Sequence, residues 1–175
     1  MPSPIGHSLA GLVVHSITAR DAGELHDLRR ACLLVGAATA ADLDLLLTLV
    51  DGRNHHQGES HTLGFACLSG VATLLLAWLM RWRRPLALAG AATLAWLSHV
   101  LLDYLNVDTH PPIGIMALWP LSDEYFKSPW PLFLDIGRTL EWHTLWHDAL
   151  AATWETVLLL PLLLVVWRLR QRKGA

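Results

Sequence analysis

Residues 85–105 read PLALAGAATLAWLSHVLLDYL. A membrane span needs roughly 20 predominantly apolar residues, and this run supplies them. Its only imidazole and carboxylate, His99 and Asp103, fall near its end and four residues apart. On a helix that spacing puts both side chains on one face. The stretch therefore predicts a membrane helix carrying a polar pair that hydrocarbon tolerates only with a partner.

Two further runs of this kind flank it. Residues 63–80 carry no charge and stop at Arg81-Trp82-Arg83-Arg84. Residues 149–167 contain only Glu155 and stop at Arg168-Leu169-Arg170-Gln171-Arg172-Lys173. Two weaker segments precede them. Residues 5–19 are a short run holding His7 and His15, and residues 31–50 have the right length but hold Asp42 and Asp44. Both read as helices that cross, or nearly cross, within a bundle. The expected fold is all-α: a polytopic membrane helical bundle of about five hydrophobic helices plus short interfacial helices, forming a single integral membrane domain over residues 1–175. Residues 106–148 form a Pro/Trp-rich interfacial loop within it. Pro111-Pro112, Trp119-Pro120 and Pro129-Trp130-Pro131 forbid one continuous helix there, so short helices at the interface are the expectation.

Composition agrees. Of the 175 residues 53% are hydrophobic and 16% charged, against about a quarter charged in soluble domains; the mean hydropathy is +0.38. A net charge of −2 offers no basic surface, so no nucleic-acid partner is expected. Nine tryptophans suit the lipid–water interface. Cys32 and Cys67 lie singly in apolar runs and make no CxxC or disulfide framework. The start, Met1-Pro2-Ser3-Pro4, lacks the basic region of a cleavable signal peptide.

Lys and Arg mark cytoplasmic flanks. With the N-terminus outside and five crossings, Arg20, Arg29, Arg30, Arg81, Arg83, Arg84, Arg168, Arg170, Arg172 and Lys173 all fall inside. Arg53, Lys127 and Arg138 fall outside. The same threading brings His7, the Asp42/Asp44 pair, His56, His61, His99 and Asp103 to the outer end, together with His143 and His147.

Imidazole and carboxylate on one helix face can grip a divalent cation, with zinc the expected ion. The plainer reading of His99 and Asp103 is a hydrogen-bonded pair that joins helices. Asp42 and Asp44 point to different sides of an ideal helix and reach one site only where the helix ends or bends. One would then bind metal while the other acts as base or outer-shell partner. Asp42, the deeper of the two, is taken as the ligand and Asp44 as the base, and the plainer reading is an acid pair at a helix end. His56 and His61 lie in the loop His55-His56-Gln57-Gly58-Glu59-Ser60-His61-Thr62, where histidines also occur without function; His55 is read as solvent-facing. His15, His26 and Glu155 are read as structural. Whether His110, His143 and His147 join the site stays open. No Gly-rich phosphate loop, GxSxG elbow or His-Glu-x-x-His motif competes.

Gly6-His7-Ser8, Asp42-x-Asp44, His56-x-Gly58-x-x-His61-Thr62 and Ser98-His99-x-x-x-Asp103, followed by Gly114 and Leu118-Trp119-Pro120, occur in this order over residues 4–122. Together they resemble the membrane-bound metal-dependent hydrolases, also described as LexA-binding, inner-membrane-associated hydrolases. The resemblance implies an inner-membrane helical protein with a metal-hydrolase site. Two positions depart from the family pattern: Ala41 stands where a proline usually precedes the acid pair, and Gln57 stands where an arginine usually follows the histidine. The second loss removes an anion-binding cation, for which Arg53 is the nearest substitute. The order Asp42, His56, His99, Asp103 also has a looser likeness to zinc-dependent phospholipases C and related nucleases.

The expectation is a metal-dependent hydrolase embedded in the inner (plasma) membrane, surrounded by lipid bilayer, with its site on the non-cytoplasmic side. His7, Asp42, His56, His61, His99 and Asp103 would hold a divalent metal. Lipid or phosphoester compounds are the natural substrates of such a site. The alternative is a non-enzymatic metal-binding membrane protein, a transporter or sensor; a third reading is a structural membrane protein with a polar core.

Overall fold

The computed structural model describes residues 1–109, 111–137 and 139–174. Among the described residues seven α-helices follow in order: α1 (Pro4–Thr18), α2 (Ala22–Leu25), α3 (Leu28–Thr39), α4 (Asp44–Asp51), α5 (Leu63–Leu79), α6 (Pro85–Tyr104) and α7 (Trp142–Gly174). Two 3-10 turns, Ala40–Leu43 and Glu59–His61, sit between α3 and α4 and before α5. No strand forms among the described residues; only two isolated bridges, Asn106 with Phe133 and Ile115 with Phe126, occur. The all-α expectation holds.

Local chemistry sets the helix starts. Pro4 and Pro85 occupy the first turns of α1 and α6, where a missing N–H costs nothing. Ser3 caps α1 by accepting from the Gly6 N–H, Asp27 caps α3 through the N–H groups of Arg29 and Arg30, and Thr62 caps α5 through Phe65.

Helix α6 is the hub, packing on α1, α3 and α5, while α1 also packs on α3 and α7. Leu88, Ala91, Ala92 and Ala95 of α6 meet Leu34 and Ala38 of α3 and Ala77 of α5 in one buried cluster. Small side chains let helix backbones approach closely, which is where helix association in a membrane finds its van der Waals energy. Gly11 serves the same purpose on α1. A Cβ built there would lie 3.0 Å from the Leu34 carbonyl oxygen and 3.0 Å from the Val35 Cα, atoms of a backbone that cannot move aside cheaply. The outer surface is the converse: Leu75, Trp78, Leu79 and Leu86 point outward and are exposed, as lipid-facing residues would be.

Among the described residues three segments are long and apolar enough to cross a membrane: Leu28–Thr48, Pro85–Tyr104 and Trp142–Arg172. Helix α5 is equally apolar and shorter, at 17 residues.

The structure corrects three boundaries. The segment expected as one helix over 31–50 is two, α3 and α4, joined by the 3-10 turn at Ala40–Leu43. Helix α7 begins at Trp142, ahead of the apolar run at 149, so His143 and His147 are helical. The third concerns residues 106–148, expected to hold short interfacial helices. Its described residues before Trp142 form no helix. Instead this stretch is tied down strand-fashion by backbone bonds: Val107 N–H to Phe133 C=O at 2.8 Å, Leu132 N–H to Leu105 C=O at 2.7 Å, and reciprocal bonds between Ile115 and Phe126 at 2.9 Å. Backbone bonds from Leu63 to Ala117 and from Met116 to Gln57 then fasten it over the loop that carries His56 and His61.

Candidate metal centre

Five segments deliver side chains to one end of the bundle. The first turns of α1 bring His7, and the 3-10 turn brings Asp42, with Asp44 opening α4. The α4–α5 loop brings His56 and His61, and the last turns of α6 bring His99 and Asp103. The 3-10 turn explains how two carboxylates two positions apart serve one site. It tightens the chain at Ala40–Leu43, so Asp42 and Asp44 approach His61 from its opposite ring edges. Asp42 Oδ1 lies 3.7 Å from His61 Nε2, and Asp44 Oδ2 lies 3.2 Å from His61 Nδ1.

Asp103 stands at the centre. Its Oδ2 is 3.0 Å from His61 Nε2 and 3.1 Å from His99 Nε2, and its Oδ1 is 3.6 Å from His7 Nε2. Asp42 faces His99 Nε2 at 3.6 Å and His7 Nε2 at 4.0 Å. The rings of His7 and His99 stack with centroids 3.8 Å apart. His7, His61 and His99 are fully buried, and His56 and Asp103 nearly so.

The partners behind these rings assign their protons. A carbonyl oxygen can only accept, so the 2.8 Å contact between His99 Nδ1 and the Ala38 carbonyl puts the proton on Nδ1. The lone pair of neutral His99 is then on Nε2. His56 Nδ1 sits 3.0 Å from Asp44 Oδ1, which fixes its proton in the same way and leaves Nε2 as the lone pair. Ser60 donates its hydroxyl to Asp44 Oδ2 at 2.7 Å, and His61 Nδ1 lies against that hydroxyl and carboxylate. His61 too therefore presents its Nε2 lone pair inward. The consequence is an arrangement that is unstable by itself. His61 Nε2 and His99 Nε2 face one another at 3.0 Å, and both face carboxylate oxygens. Lone pairs are turned on lone pairs in a buried site. Both ring nitrogens of His7, His56 Nε2 and all four carboxylate oxygens of Asp42 and Asp103 are buried without a hydrogen-bond donor. Buried polar groups are normally satisfied, and among these His7 Nε2 and the Asp42 and Asp103 carboxylates face one another. A cation supplies what they lack, and imidazole nitrogen with carboxylate oxygen is a zinc-type donor set. The donors fit a divalent metal.

All six sequence-derived ligand candidates thus come together: His7, Asp42, His99 and Asp103 form one group of close ligand atoms, and Asp42, His56 and His61 form another. Asp44 lies immediately behind them. The other described histidines do not join. His143 is exposed and pairs with Glu141 at 3.3 Å, and His147 pairs with Asp135 at 3.2 Å. His55 turns outward to Asp51 at 2.7 Å; the Arg53 backbone N–H and His55 together hold that exposed carboxyl below its usual range. His110 lies outside the described residues, as does Arg138. His15 is structural, held between the Leu25 carbonyl at 3.0 Å and Arg30 Nη1 at 2.8 Å. Glu155 is fully buried and accepts from the Ser3 N–H and hydroxyl, clamping α7 to the start of α1 one turn before His7.

Two contributors escape sequence reading. Ser60 braces Asp44, and the Ala38 carbonyl orients His99. A lone serine and a backbone carbonyl carry no compositional signal. The spacing of Ser60 one position before His61 is the only hint of the first.

A family model described as the YdjM inner membrane protein matches residues 1–175. No curated protein and no solved structure matches.

Proposed function

The chain belongs to the YdjM inner membrane protein family, and on that premise we propose that it is a membrane-embedded metal-dependent hydrolase, acting on ester or phosphoester bonds of lipid-type substrates. The observation that carries this reading is the set of buried, donorless nitrogens and oxygens converging at one end of the bundle. His7, Asp42, His56, His61, His99 and Asp103 hold the cation. A divalent cation there supplies Lewis acidity and lowers the pKa of water toward neutrality. The chain supplies the rest. The Ala38 carbonyl and Asp44 keep the His99, His56 and His61 protons on Nδ1, so that every Nε2 stays available. In this reading Asp44, whose oxygens are already taken up by two rings and the Ser60 hydroxyl, positions ligands rather than moving the reacting proton.

The test is hydrolysis by protein purified in detergent or nanodiscs, stripped by chelator and reloaded with zinc. The panel comprises phosphomonoesters, phosphodiesters, phospholipids and carboxylic esters. Turnover of at least one class should vanish on stripping and return with zinc. A protein that binds metal and turns over none of them is a non-enzymatic metal binder instead.

The site belongs on the non-cytoplasmic side of a multi-pass protein in this proposal. Support comes from the opposite end of the bundle, where the arginines gather. Arg84 bridges Asp21 at 3.1 Å and Glu24 at 2.8 Å, and Arg170 donates to the Ile17 carbonyl. Arginine-rich ends face the cytoplasm. A cysteine placed at exposed Asp123 in a variant lacking Cys32 and Cys67 should react with an impermeant reagent on intact cells. One at Gln171 should react only after permeabilisation. The reverse pattern inverts the topology.

A further inference from the structure

Resting on the reading of this cluster as a metal centre, we propose that it is built for two cations that share Asp42, one in a closed four-residue set and one in an open three-residue set. Ligand supply is the first argument. Zinc takes four ligands, and a catalytic zinc only three from protein. Six residues present inward-facing donors here, four of them imidazoles. One such ion leaves some of these atoms over, buried without a partner, which is unfavourable for each of them.

The second argument is how the donors divide. The ligand atoms of His7, Asp42, His99 and Asp103 lie within 4.8 Å of one another, and so do those of Asp42, His56 and His61. Asp42 belongs to both groups. Its two oxygens look different ways: Oδ2 toward His7, and Oδ1 toward His61 and His99. A carboxylate can bridge two cations through its two oxygens. The His56 ring lies edge-on to His61 with centroids 5.0 Å apart, and its Nε2 has no hydrogen-bond partner.

Charge gives the third argument. Asp42, Asp44 and Asp103 bring three negative charges to a buried place. One divalent ion leaves the site with a net charge of about −1, which repels an anionic substrate; two leave it at about +1, which attracts one. The second ion thus supplies the positive charge that Gln57 does not. The set made by Asp42, His56 and His61 has three protein ligands, the number that leaves a coordination position for water or substrate.

Each set makes its own prediction for single variants. Elemental analysis of the zinc-reconstituted wild type should give two ions per chain. His56→Ala should give one, and His7→Ala should also give one, since each ring serves a different set. Loading with manganese supplies a second readout. Two ions that share a carboxylate give an exchange-coupled magnetic resonance spectrum in the wild type, and His56→Ala should show the spectrum of an isolated ion. One zinc per chain in the wild type with an uncoupled manganese spectrum overturns the pair and leaves a mononuclear hydrolase standing. No metal in the wild type removes both proposals.

Discussion

Asp103→Ala should strip the four-residue set of its ion. The purified variant is expected to hold no more than about half of the wild-type metal under matched loading, the ion held by Asp42, His56 and His61 alone, because a tenfold loss of affinity at the other set needs only about 1.4 kcal/mol. Asp103 stands closer to the three imidazoles it shares with Asp42 than Asp42 does, at 3.0 Å from His61, 3.1 Å from His99 and 3.6 Å from His7. Its removal withdraws a ligand and the buried negative charge that makes a cation welcome there. Hydrolysis of whatever substrate is found should fall by roughly 10³-fold or more. Metal charge stabilisation is worth several kcal/mol, and each 1.36 kcal/mol is a factor of ten. His99→Ala should follow the same pattern. Asp103→Asn is the informative companion, because it keeps the volume that packs α6 and loses only the charge. It should fold, as judged by helical signal and a sharp elution profile in detergent, and still bind metal poorly. Wild-type metal content in Asp103→Asn would show that the cluster is a hydrogen-bonded joint between helices, the plainer reading of His99 and Asp103.

Much of this was legible in residues 85–105, and the reason is physical. Apolar length reports a span because lipid requires it, and a spacing of four reports a shared face because the helix turns every 3.6 residues. His99 and Asp103 are buried at the end of α6 as that spacing predicts. The Asp42/Asp44 pair was legible as a condition: both could serve one site only at a bend, and the 3-10 turn supplies it. Boundaries were less visible. The start of α7 lies among Trp142, His143 and His147, residues polar enough to read as loop, yet a helix continues into water wherever its backbone bonds continue. The prolines of residues 106–148 predict broken helix there. Proline forbids helix without saying what replaces it, and here backbone pairing with Leu105, Gln57 and Leu63 does so. The proton assignments were beyond reach altogether. They depend on which acceptor lies behind each ring, and the Ala38 carbonyl is an acceptor that every residue possesses.

Asp44→Asn separates two roles that sequence leaves joined. Asp44 receives three donors: the Nδ1 protons of His56 and His61 and the hydroxyl of Ser60. A carboxylate accepts all three with lone pairs to spare. Asparagine offers one oxygen, and its amide nitrogen is a donor, which meets a ring N–H donor-to-donor. The ring opposite that amide escapes by moving its proton to Nε2, which removes that nitrogen from the ligand set. Metal affinity should therefore drop by about 10–100-fold, the usual cost of losing an outer-shell partner of a ligating histidine. The corresponding free energy is about 1.4–2.7 kcal/mol. Because the defect lies in holding the ion, excess zinc should restore most of the hydrolytic rate. A general base behaves otherwise: its amide would bind metal at wild-type affinity, stay slow at saturating zinc, and lose the acidic limb of the pH–rate profile. A competition titration against a chromophoric chelator, followed by rates at saturating metal across pH, reads both quantities from one preparation. Weak binding with rescued turnover assigns Asp44 to positioning. Unchanged binding with slow, unrescued turnover returns it to the proton-transfer role that its place beside Asp42 first suggested.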